Sequence, residues 1–435
     1  MHVAVVGGGI TGLTVAWELL RLGHRVTIIE REALGGLAAG FAYPNVPEVY
    51  LERFYHHLFT SDLAIQNLIA ELGLAADLFW RPTLSGVIAR GRCWPLRGPF
   101  DLLRFAPLGS IWDRLRLGWA MFRLKKIPRW ETLDSISCRE YFEQQGAIRG
   151  YELFWLPLLK LKFADFAERA SAAFLWGRIT PRVGSRRGGQ EFLGYLRGGF
   201  QRLFRKWGRQ LREMGAEIVL GEKIDALRPG NCPELHFAGQ WHRFDRVVWT
   251  ASTQALHRVL PPEFQEFAQS RGTVEYLAAT ALILAVRRQQ TPFYWLNSLD
   301  SDLTFGALIE HTNLADSADY GGDRILYVAN YHAPGDPRFE GKGPEELLAY
   351  HLPSLQRICP HLGPADIRQV FSASDRFATP VYQVGYRQQI PPQRDFLPGV
   401  DLCNMSQVYP FDRNMNHCVV NAQRFIESFH AESLG

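Results

Sequence analysis

Lysine and methionine are scarce in this sequence, and its cysteines are not spaced as pairs. The 435 residues include 7 lysines among 48 basic residues, 5 methionines and 6 cysteines, none of them in a CxxC pair. That spacing favours neither a zinc site nor a disulfide framework, so we expect buried thiols in a reducing compartment. With 44 acidic residues the formal net charge is +4, which is too balanced for a dedicated nucleic-acid binder.

Long apolar runs and several catalytic motifs are also missing. No uninterrupted apolar stretch approaches the roughly 18 residues that cross a bilayer. The first apolar run leads into three glycines rather than into a signal-peptide cleavage site. The sequence has no HExxH, GxSxG or carboxylate-spaced metal loop, so no metal is expected. At 47% hydrophobic and 21% charged residues, the chain is typical of globular proteins. We expect a cytoplasmic protein, soluble or peripherally attached to a membrane.

The first thirty residues have the order of a dinucleotide-binding βαβ unit. A β-branched apolar run at 2–6 predicts a buried strand, and a GxGxxG motif follows at 7–12. Apolar residues then recur with helical spacing over 13–22, and a second strand at 25–29 ends in Glu30. Strand, glycines, helix, strand and terminal acid arrive in the order that such a unit requires.

Each part of this unit has a physical reason. Gly7 permits the tight turn, Gly9 lets the backbone approach a pyrophosphate, and Gly12 allows the helix to pack closely on the strand. The helix N-terminus presents unpaired N–H groups and a positive dipole end to the phosphates. Glu30 stands where its carboxylate can accept hydrogen bonds from a ribose. The predicted nucleotide-binding residues here are Gly7, Gly8, Gly9, Thr11, Gly12 and Glu30.

A second glycine pair distinguishes between dinucleotides. Gly35 and Gly36 follow five residues after Glu30, in REALGGLAAG, and a plain NAD domain has no need of them. The stretch resembles the opening of the FAD-dependent amine oxidase, phytoene desaturase and protoporphyrinogen oxidase superfamily. The resemblance implies FAD as the cofactor, with the glycine pair beside its pyrophosphate.

Later segments are similar to the same superfamily. The series GG (198–199), helix, strand and apolar residue ends at Ile224, which the resemblance places beside the adenine. The resemblance also places the C-terminal segment over the flavin. A helix that begins near Met415 or Asn416 would there direct its backbone N–H groups at the flavin N1 and O2 edge, which becomes negative on reduction.

One position departs from the superfamily pattern. The acid that usually holds the ribityl chain is replaced by Met405, which could contact it only through its backbone. Asp412 and Arg413 are the candidates to supply the polar contacts instead, and the alternative is a salt bridge that caps the last helix.

The predicted fold is α/β (α+β overall), with a discontinuous Rossmann-like FAD-binding domain and an inserted substrate domain of sheet plus helices. The FAD-binding domain would be assembled from residues 1–90, 190–268 and 390–435. Residues 91–189, expected to be mainly helical, and 269–389, which open with a strand, would form the substrate domain.

Residues 94–130 interleave large apolar residues with arginine and lysine. Ile111, Leu115, Trp119 and Phe122 fall on one face of a predicted helix. A basic amphipathic helix with tryptophans can lie in a membrane interface. The alternative interpretation is a helix packed on the protein with a solvated basic face.

Few catalytic residues are obligatory, because the flavin carries the chemistry in such enzymes. The candidates are His56, placed by the resemblance beside the flavin ring, Lys162 on a substrate-lining helix, and Arg376 ahead of the last FAD segment. We expect at most one of His56 and His57 to face the site, because adjacent residues on a strand point to opposite sides. Further candidates for orienting a substrate are Glu310, His311 and Tyr382.

The predicted function is an FAD-dependent oxidoreductase of the oxidase or desaturase type, which transfers hydride from a small, largely hydrophobic substrate to flavin N5. The sequence has no lysine between Lys223 and Lys342, where many amine oxidases of the superfamily carry one, and this argues against amine oxidation. One alternative is a non-redox isomerase resembling UDP-galactopyranose mutase, whose arginines clamp a diphosphate. The second is a non-catalytic, membrane-associated binding protein. The sequence does not specify the electron acceptor.

Overall fold

A computed structural model describes residues 1–184, 186–187 and 190–433 of the chain. Short 3-10 segments connect many of the strands and helices. The strands are β1 (His2–Val6), β2 (Arg25–Glu30), β3 (Gly40–Ala42), β4 (Tyr50–Glu52), β5 (Leu58–Phe59), β6 (Leu78–Thr83), β7 (Ser85–Ala89), β8 (Arg92–Pro95), β9 (Arg186–Arg187), β10 (Gln190–Leu196), β11 (Glu217–Leu220), β12 (Ala226–Arg228), β13 (Glu234–Phe237), β14 (Gln240–Arg243), β15 (Arg246–Trp249), β16 (Tyr276–Val286), β17 (Trp295–Ser298), β18 (Ala307–Glu310), β19 (Arg324–His332), β20 (Ile367–Pro380) and β21 (Val400–Leu402). The helices are α1 (Ile10–Arg21), α2 (Leu63–Glu71), α3 (Pro99–Arg104), α4 (Ile111–Lys126), α5 (Cys138–Gln144), α6 (Ile148–Gly150), α7 (Leu156–Phe163), α8 (Ala172–Gly184), α9 (Gln201–Glu213), α10 (Thr253–Val259), α11 (Pro262–Ser270), α12 (Pro344–Ile358), α13 (Tyr386–Gln389) and α14 (Met415–Ser433).

A five-stranded parallel sheet, in the order β11-β2-β1-β15-β21, forms the centre of the first layer. Its strands come from three distant parts of the chain, as the prediction of a discontinuous Rossmann-like domain requires. The central strand β1 reads HVAVV, and Val3, Ala4 and Val5 are fully buried because elements cover both faces of the sheet. Helices α1 and α14 pack against each other beside it.

A seven-stranded sheet in the order β20-β16-β19-β18-β17-β7-β8 forms the second layer. Strand β16 reads YLAATALILAV, and all eleven of its residues are buried because it lies inside the sheet, paired with β19 and β20. Strand β7 pairs with β17, so Ser85–Ala89 belongs to this sheet. The predicted boundary at residue 90 places β7 in the FAD-binding domain, whereas β7 pairs within the seven-stranded sheet, so this boundary lies too late in the chain. The boundary at residue 189 falls outside the described residues.

The first insert is mainly helical after β8, as predicted. Helices α3 to α8 contribute Leu117, Phe142, Phe163 and Phe174 to a core that they share with strands β7 and β16 and with the segment after β20. Capping boxes at Ser110 and Ser137 fix the starts of α4 and α5. In the described part of the chain, no helix has both the length and the apolar character that crossing a bilayer requires.

Candidate functional site

The glycine-rich turn lies at the carboxyl end of β1, where α1 begins. Gly7 has φ of 109°, a conformation that side chains disfavour. A Cβ on Gly12 would lie 1.9 Å from the Gly7 carbonyl oxygen, so only glycine lets α1 pack this closely. These two glycines serve the fold itself.

Gly9 differs from its neighbours, because the space above it is open. A Cβ there would meet only the Gly36 Cα, at 3.8 Å. The Gly35 N–H donates to the Gly8 carbonyl at 2.8 Å, so the second glycine pair lies directly against the first. Both segments thus leave a backbone-lined cradle at the N-terminus of α1, and this cradle fits a pyrophosphate.

Glu30 lies beside this cradle, at the end of β2. Its carboxylate accepts the Gly8 N–H at 2.7 Å and the Glu32 N–H at 2.8 Å. These hydrogen bonds fix the side chain at the carboxyl end of β2. Each carboxylate oxygen can accept a further hydrogen bond, for example from a ribose hydroxyl. The residues present therefore fit the adenosine diphosphate part of FAD.

The other predicted cofactor residues occupy varied positions. Thr11 is buried in the first turn of α1. Ile224 is buried in the core cluster that also contains Ala4 of β1 and Ile29 of β2. Met405 starts a 3-10 turn, and its side chain packs against the core of the helical insert. Contacts from Ile224 and the Met405 backbone to the cofactor stay predictions.

Asn416 lies in the first turn of α14, and its side chain is engaged elsewhere. Its Oδ1 accepts the N–H groups of Ala64 and Ile65 at 2.9 and 3.2 Å, so it caps α2. Any contact of Asn416 with a flavin would therefore be through its backbone. Asn414 caps α14, because its Oδ1 accepts the His417 N–H at 2.8 Å.

A cavity lies between the start of α14, the seven-stranded sheet and the helical insert. One part of its lining is apolar and aromatic, and the other part is charged. The lining residues include Phe54, Tyr55, His56, His57, Trp155, Leu158, Lys162, Phe174, Arg178, Thr280, Trp295, Asn330, Tyr331, Asp412, Arg413 and Met415. The lining comes from residues 37–59, from both inserts and from residues 412–417. The cavity therefore forms only when these distant parts of the chain have folded together.

Four charged side chains, which we term the cation cluster, lie together in this lining. Asp412 accepts Lys162 Nζ at 2.8 Å and Arg178 Nη1 at 2.5 Å. Arg413 donates to the Tyr331 hydroxyl at 3.1 Å, and its buried Nε has no hydrogen-bond partner among the described residues. Burial opposes ionisation of Asp412, but Lys162 and Arg178 outweigh it, so the pKa of Asp412 is lowered. One carboxylate thus faces three cations.

Tyr331 stands at the centre of this arrangement. Its hydroxyl is hydrogen-bonded to Tyr55 as well as to Arg413, and Lys162 Nζ lies 5.4 Å from its ring centroid. Burial alone would raise its pKa, but Arg413 and Lys162 outweigh burial, so the pKa of Tyr331 is lowered. Tyr331 is therefore the tyrosine in this cavity that is best suited to accept a proton.

His56 and His57 both line the cavity, so the expectation that at most one would face it is wrong. The expectation assumed a strand, whereas these residues lie in the irregular segment between β4 and β5. His56 Nδ1 lies 2.6 Å from the Phe54 carbonyl, and burial lowers the pKa of His56 to about 4. His57 Nδ1 lies 3.0 Å from the Tyr294 hydroxyl. His56 is consequently neutral at physiological pH.

Of the three predicted catalytic residues, the structure brings His56 and Lys162 to the cavity but not Arg376. The Arg376 side chain is 52% exposed on strand β20 and lies 3.7 Å from Glu340. Its assignment is therefore corrected to a surface ion pair.

The three further candidates are also structural. Glu310 accepts the backbone N–H groups of Gln290 and Thr291, and burial raises its pKa to about 7. His311 and Tyr382 are fully buried outside the cavity lining.

Sequence reasoning missed Arg178 and Tyr331. For Tyr331 a signal was present, since β19 alternates and Tyr327, Ala329 and Tyr331 share one face of the strand. Arg178 lies on α8, and no local pattern indicates that it would pair with Asp412.

Comparison with known proteins gives a consistent result. The model of the family described as flavin containing amine oxidoreductase matches residues 10–409. The 15-cis-phytoene desaturase of Arabidopsis thaliana is 25% identical over 307 residues, which are 61% of this chain and 50% of that protein. The chain thus spans about half the length of the phytoene desaturases that it matches first.

Two solved structures share the fold. A candidate protoporphyrinogen oxidase from Exiguobacterium sp. 255-15 has a TM-score of 0.75 at 20% identity and covers 99% of both chains. Reduced UDP-galactopyranose mutase has a TM-score of 0.76 at 15% identity, over 100% of this chain and 96% of that one. At these identities the likeness establishes the fold alone, which confirms the predicted α/β class.

Proposed function

Because this chain belongs to the flavin-containing amine oxidoreductase family, whose flavin is FAD, we propose that it is an FAD-dependent oxidoreductase that removes hydride from a largely hydrophobic substrate. When bound, FAD supplies the acceptor for that hydride at N5. The glycine cradle, Glu30 and the first turn of α14 would hold the cofactor.

The observation that carries the proposal is the composition of the cavity. Trp155, Leu158, Phe174 and Trp295 form an apolar part that suits a hydrocarbon or ring system. The helix N-terminus predicted to face the flavin belongs to the same cavity, because Met415 lines it and starts α14. A substrate in the apolar part would therefore lie beside the cofactor.

Tyr331 would take the proton that desaturation releases. Desaturation would remove a hydride from one carbon and a proton from the second, neighbouring carbon. The electron pair of that second C–H bond then forms the double bond, and the Tyr331 oxygen accepts the proton. Arg413 and Lys162 lower the pKa of Tyr331 and so favour the deprotonated form that an active-site base requires.

The experiment is an anaerobic titration of the purified protein followed in the visible spectrum. We expect an isoprenoid or another apolar ring compound to bleach the flavin band, and simple amines to leave it unchanged. Bleaching by amines alone would contradict the proposed substrate class. A flavin that no compound of a broad panel reduces would favour the non-catalytic binding protein.

A second candidate function is a flavin-dependent isomerase without net electron transfer. The cation cluster favours it, because three cations around one carboxylate suit an anionic substrate such as a sugar diphosphate, and a mutase of that kind has the same fold. The two functions differ in their need for reduction. An isomerase would require prior reduction of the flavin and would return it reduced, whereas an oxidoreductase would start from the oxidised form.

A further inference from the structure

We propose that helices α3 and α4 dock onto a membrane surface that contains anionic lipids. The proposal concerns a surface outside the cavity and does not rest on the proposed reaction. The docking face is defined by six exposed apolar residues: Phe100, Ile111, Trp112, Leu115, Trp119 and Phe122.

These side chains are far more exposed than large apolar residues usually are. Phe100 is 79% exposed, Trp112 67% and Trp119 59%. The ring centroids of Trp119 and Phe122 lie 5.6 Å apart in a stacked arrangement, so these two side chains form one joined apolar surface. A contiguous exposed patch of this kind indicates an interaction surface.

Helix α4 has two apolar sides, although a packed helix needs only one. At about 100° per residue, its five exposed apolar residues fall within an arc of about 100°. Leu117, Ala120 and Leu124 are buried and lie on the opposite side, where they fill the core of the insert. The exposed arc therefore has no packing role within the part of the chain that the structure describes.

Charge decides between a membrane and other occupants. Arg116 and Arg123 lie next to the apolar arc on one edge, and Lys125 and Lys126 follow at the end of the helix, all exposed. The single acid of α4, Asp113, forms the N-terminal capping box with Ser110. An apolar arc with tryptophans and a basic rim complements anionic headgroups above an acyl layer.

The docking face is also close to the cavity. Met121 of α4 contacts Trp155, whose Nε1 lies 3.2 Å from the Met121 sulfur, and Trp155 lines the cavity. The helix that carries most of the docking face therefore also contacts the apolar part of the site. This placement suits a substrate that enters from lipid.

The test is sedimentation of the FAD-loaded 435-residue protein with vesicles of phosphatidylcholine, with and without phosphatidylglycerol. We expect binding only with phosphatidylglycerol. The substitutions Arg116→Glu and Arg123→Glu together should weaken it at least about tenfold. The triple change Trp112→Ser, Trp119→Ser and Phe122→Ser should weaken it similarly.

The matched control removes exposed apolar side chains elsewhere. Leu63→Ser with Phe267→Ser should leave vesicle binding unchanged, since these residues are 63% and 46% exposed but lie on α2 and α11. Unchanged FAD content and circular dichroism would show that each variant is folded. Brominated lipids should quench tryptophan fluorescence in the parent protein, and Trp112→Phe with Trp119→Phe should remove most of that quenching.

Three results would overturn the proposal. The first is absence of binding to phosphatidylglycerol vesicles, and the second is an equal loss in the control variant. The third is a lipid-free protein that is oligomeric and becomes monomeric in the triple variant, because the face would then be an interface between copies of the chain.

The cation cluster carries a second, independent inference: the substrate bears an anionic group, a phosphate or a carboxylate, joined to its apolar part. It rests on the proposed use of the cavity for substrate. Lys162 is only 8% exposed, and the described lining contains no carboxylate besides Asp412. Burying an uncompensated charge is costly, so the surplus positive charge and the unpaired Arg413 Nε call for an anion.

Binding measured by calorimetry separates this inference from turnover. We expect dodecyl phosphate or dodecanoate to bind the FAD-loaded protein at least about tenfold more tightly than dodecanol, and the stronger of the two names the anion. Arg178→Gln should reduce this ratio, and Arg376→Gln, on the exposed strand, should not. Equal affinities for acid and alcohol would overturn the inference. An unchanged ratio in Arg178→Gln with a shifted flavin potential would also overturn it, since the cations would then serve the reduced flavin.

Discussion

Replacing Gly9 with valine tests the placement of the cofactor phosphates. The backbone at Gly9 is extended, with φ of −76° and ψ of −179°, which valine adopts readily. Its Cβ would meet only Gly36, at 3.8 Å, an ordinary contact. We therefore expect the free energy of unfolding of the FAD-free protein to change by less than about 1 kcal/mol.

The same side chain would occupy the cradle at the N-terminus of α1. Its methyl groups would keep a pyrophosphate from the backbone N–H groups there, so we expect FAD affinity to fall at least about a hundredfold, or roughly 3 kcal/mol. The assay combines urea unfolding of the FAD-free protein with fluorescence titration of FAD. The expected variant is folded and colourless.

Gly12→Ala is the matched comparison. Its methyl group would lie 1.9 Å from the Gly7 oxygen and 2.9 Å from Thr250 Oγ1, which only backbone movement can relieve. We expect a stability loss of about 1–3 kcal/mol or more even without FAD. A Gly9→Val protein that retains FAD as the parent does, or that is as unstable as Gly12→Ala, would refute the reasoning.

Three other predictions concern buried ionisable groups. Tyr331→Phe should lower kcat by about a hundredfold or more with unchanged FAD content. Because a base must be deprotonated to act, the parent protein should lose activity toward low pH, and the variant should not show this loss. An unaltered pH profile in the variant would exclude Tyr331 as the base. Burial raises the pKa of Glu52 to about 7, so the folded state holds the carboxyl proton more tightly than the unfolded state does. The free energy of unfolding should therefore fall by about 3 kcal/mol as pH rises from about 4.5 to 7. Glu52→Gln should remove that fall, and urea unfolding at about pH 5 and about pH 8 measures it; equal slopes in both proteins would contradict it. Asp412→Asn should lower the free energy of unfolding by about 3–5 kcal/mol, because it leaves the buried cations unpaired, and a neutral effect in the same assay would show that they are solvated.

The nucleotide-binding unit could be predicted because its information is local. Strand, glycines, helix and Glu30 follow each other within thirty residues, and each feature has one backbone requirement. The same holds for the exposed apolar arc of α4, where helical periodicity alone places Trp119 and Phe122 on one face.

The catalytic part of the site could not be predicted in this way. Lys162 and Asp412 are 250 residues apart, and only packing of the helical insert against the C-terminal piece brings them together. The prediction that Arg376 is catalytic was wrong for a related reason, because Arg376 lies on the edge strand β20, where outward positions face solvent. The sequence also does not indicate the direction of the Asn416 side chain, whose amide oxygen caps α2.

The most direct measurement is the absorption spectrum of the purified protein, read together with the identity of the cofactor that denaturation releases. The account predicts a yellow protein that carries one FAD per chain, or one that takes up FAD to that ratio when it is supplied. A colourless protein that does not bind added FAD would contradict it.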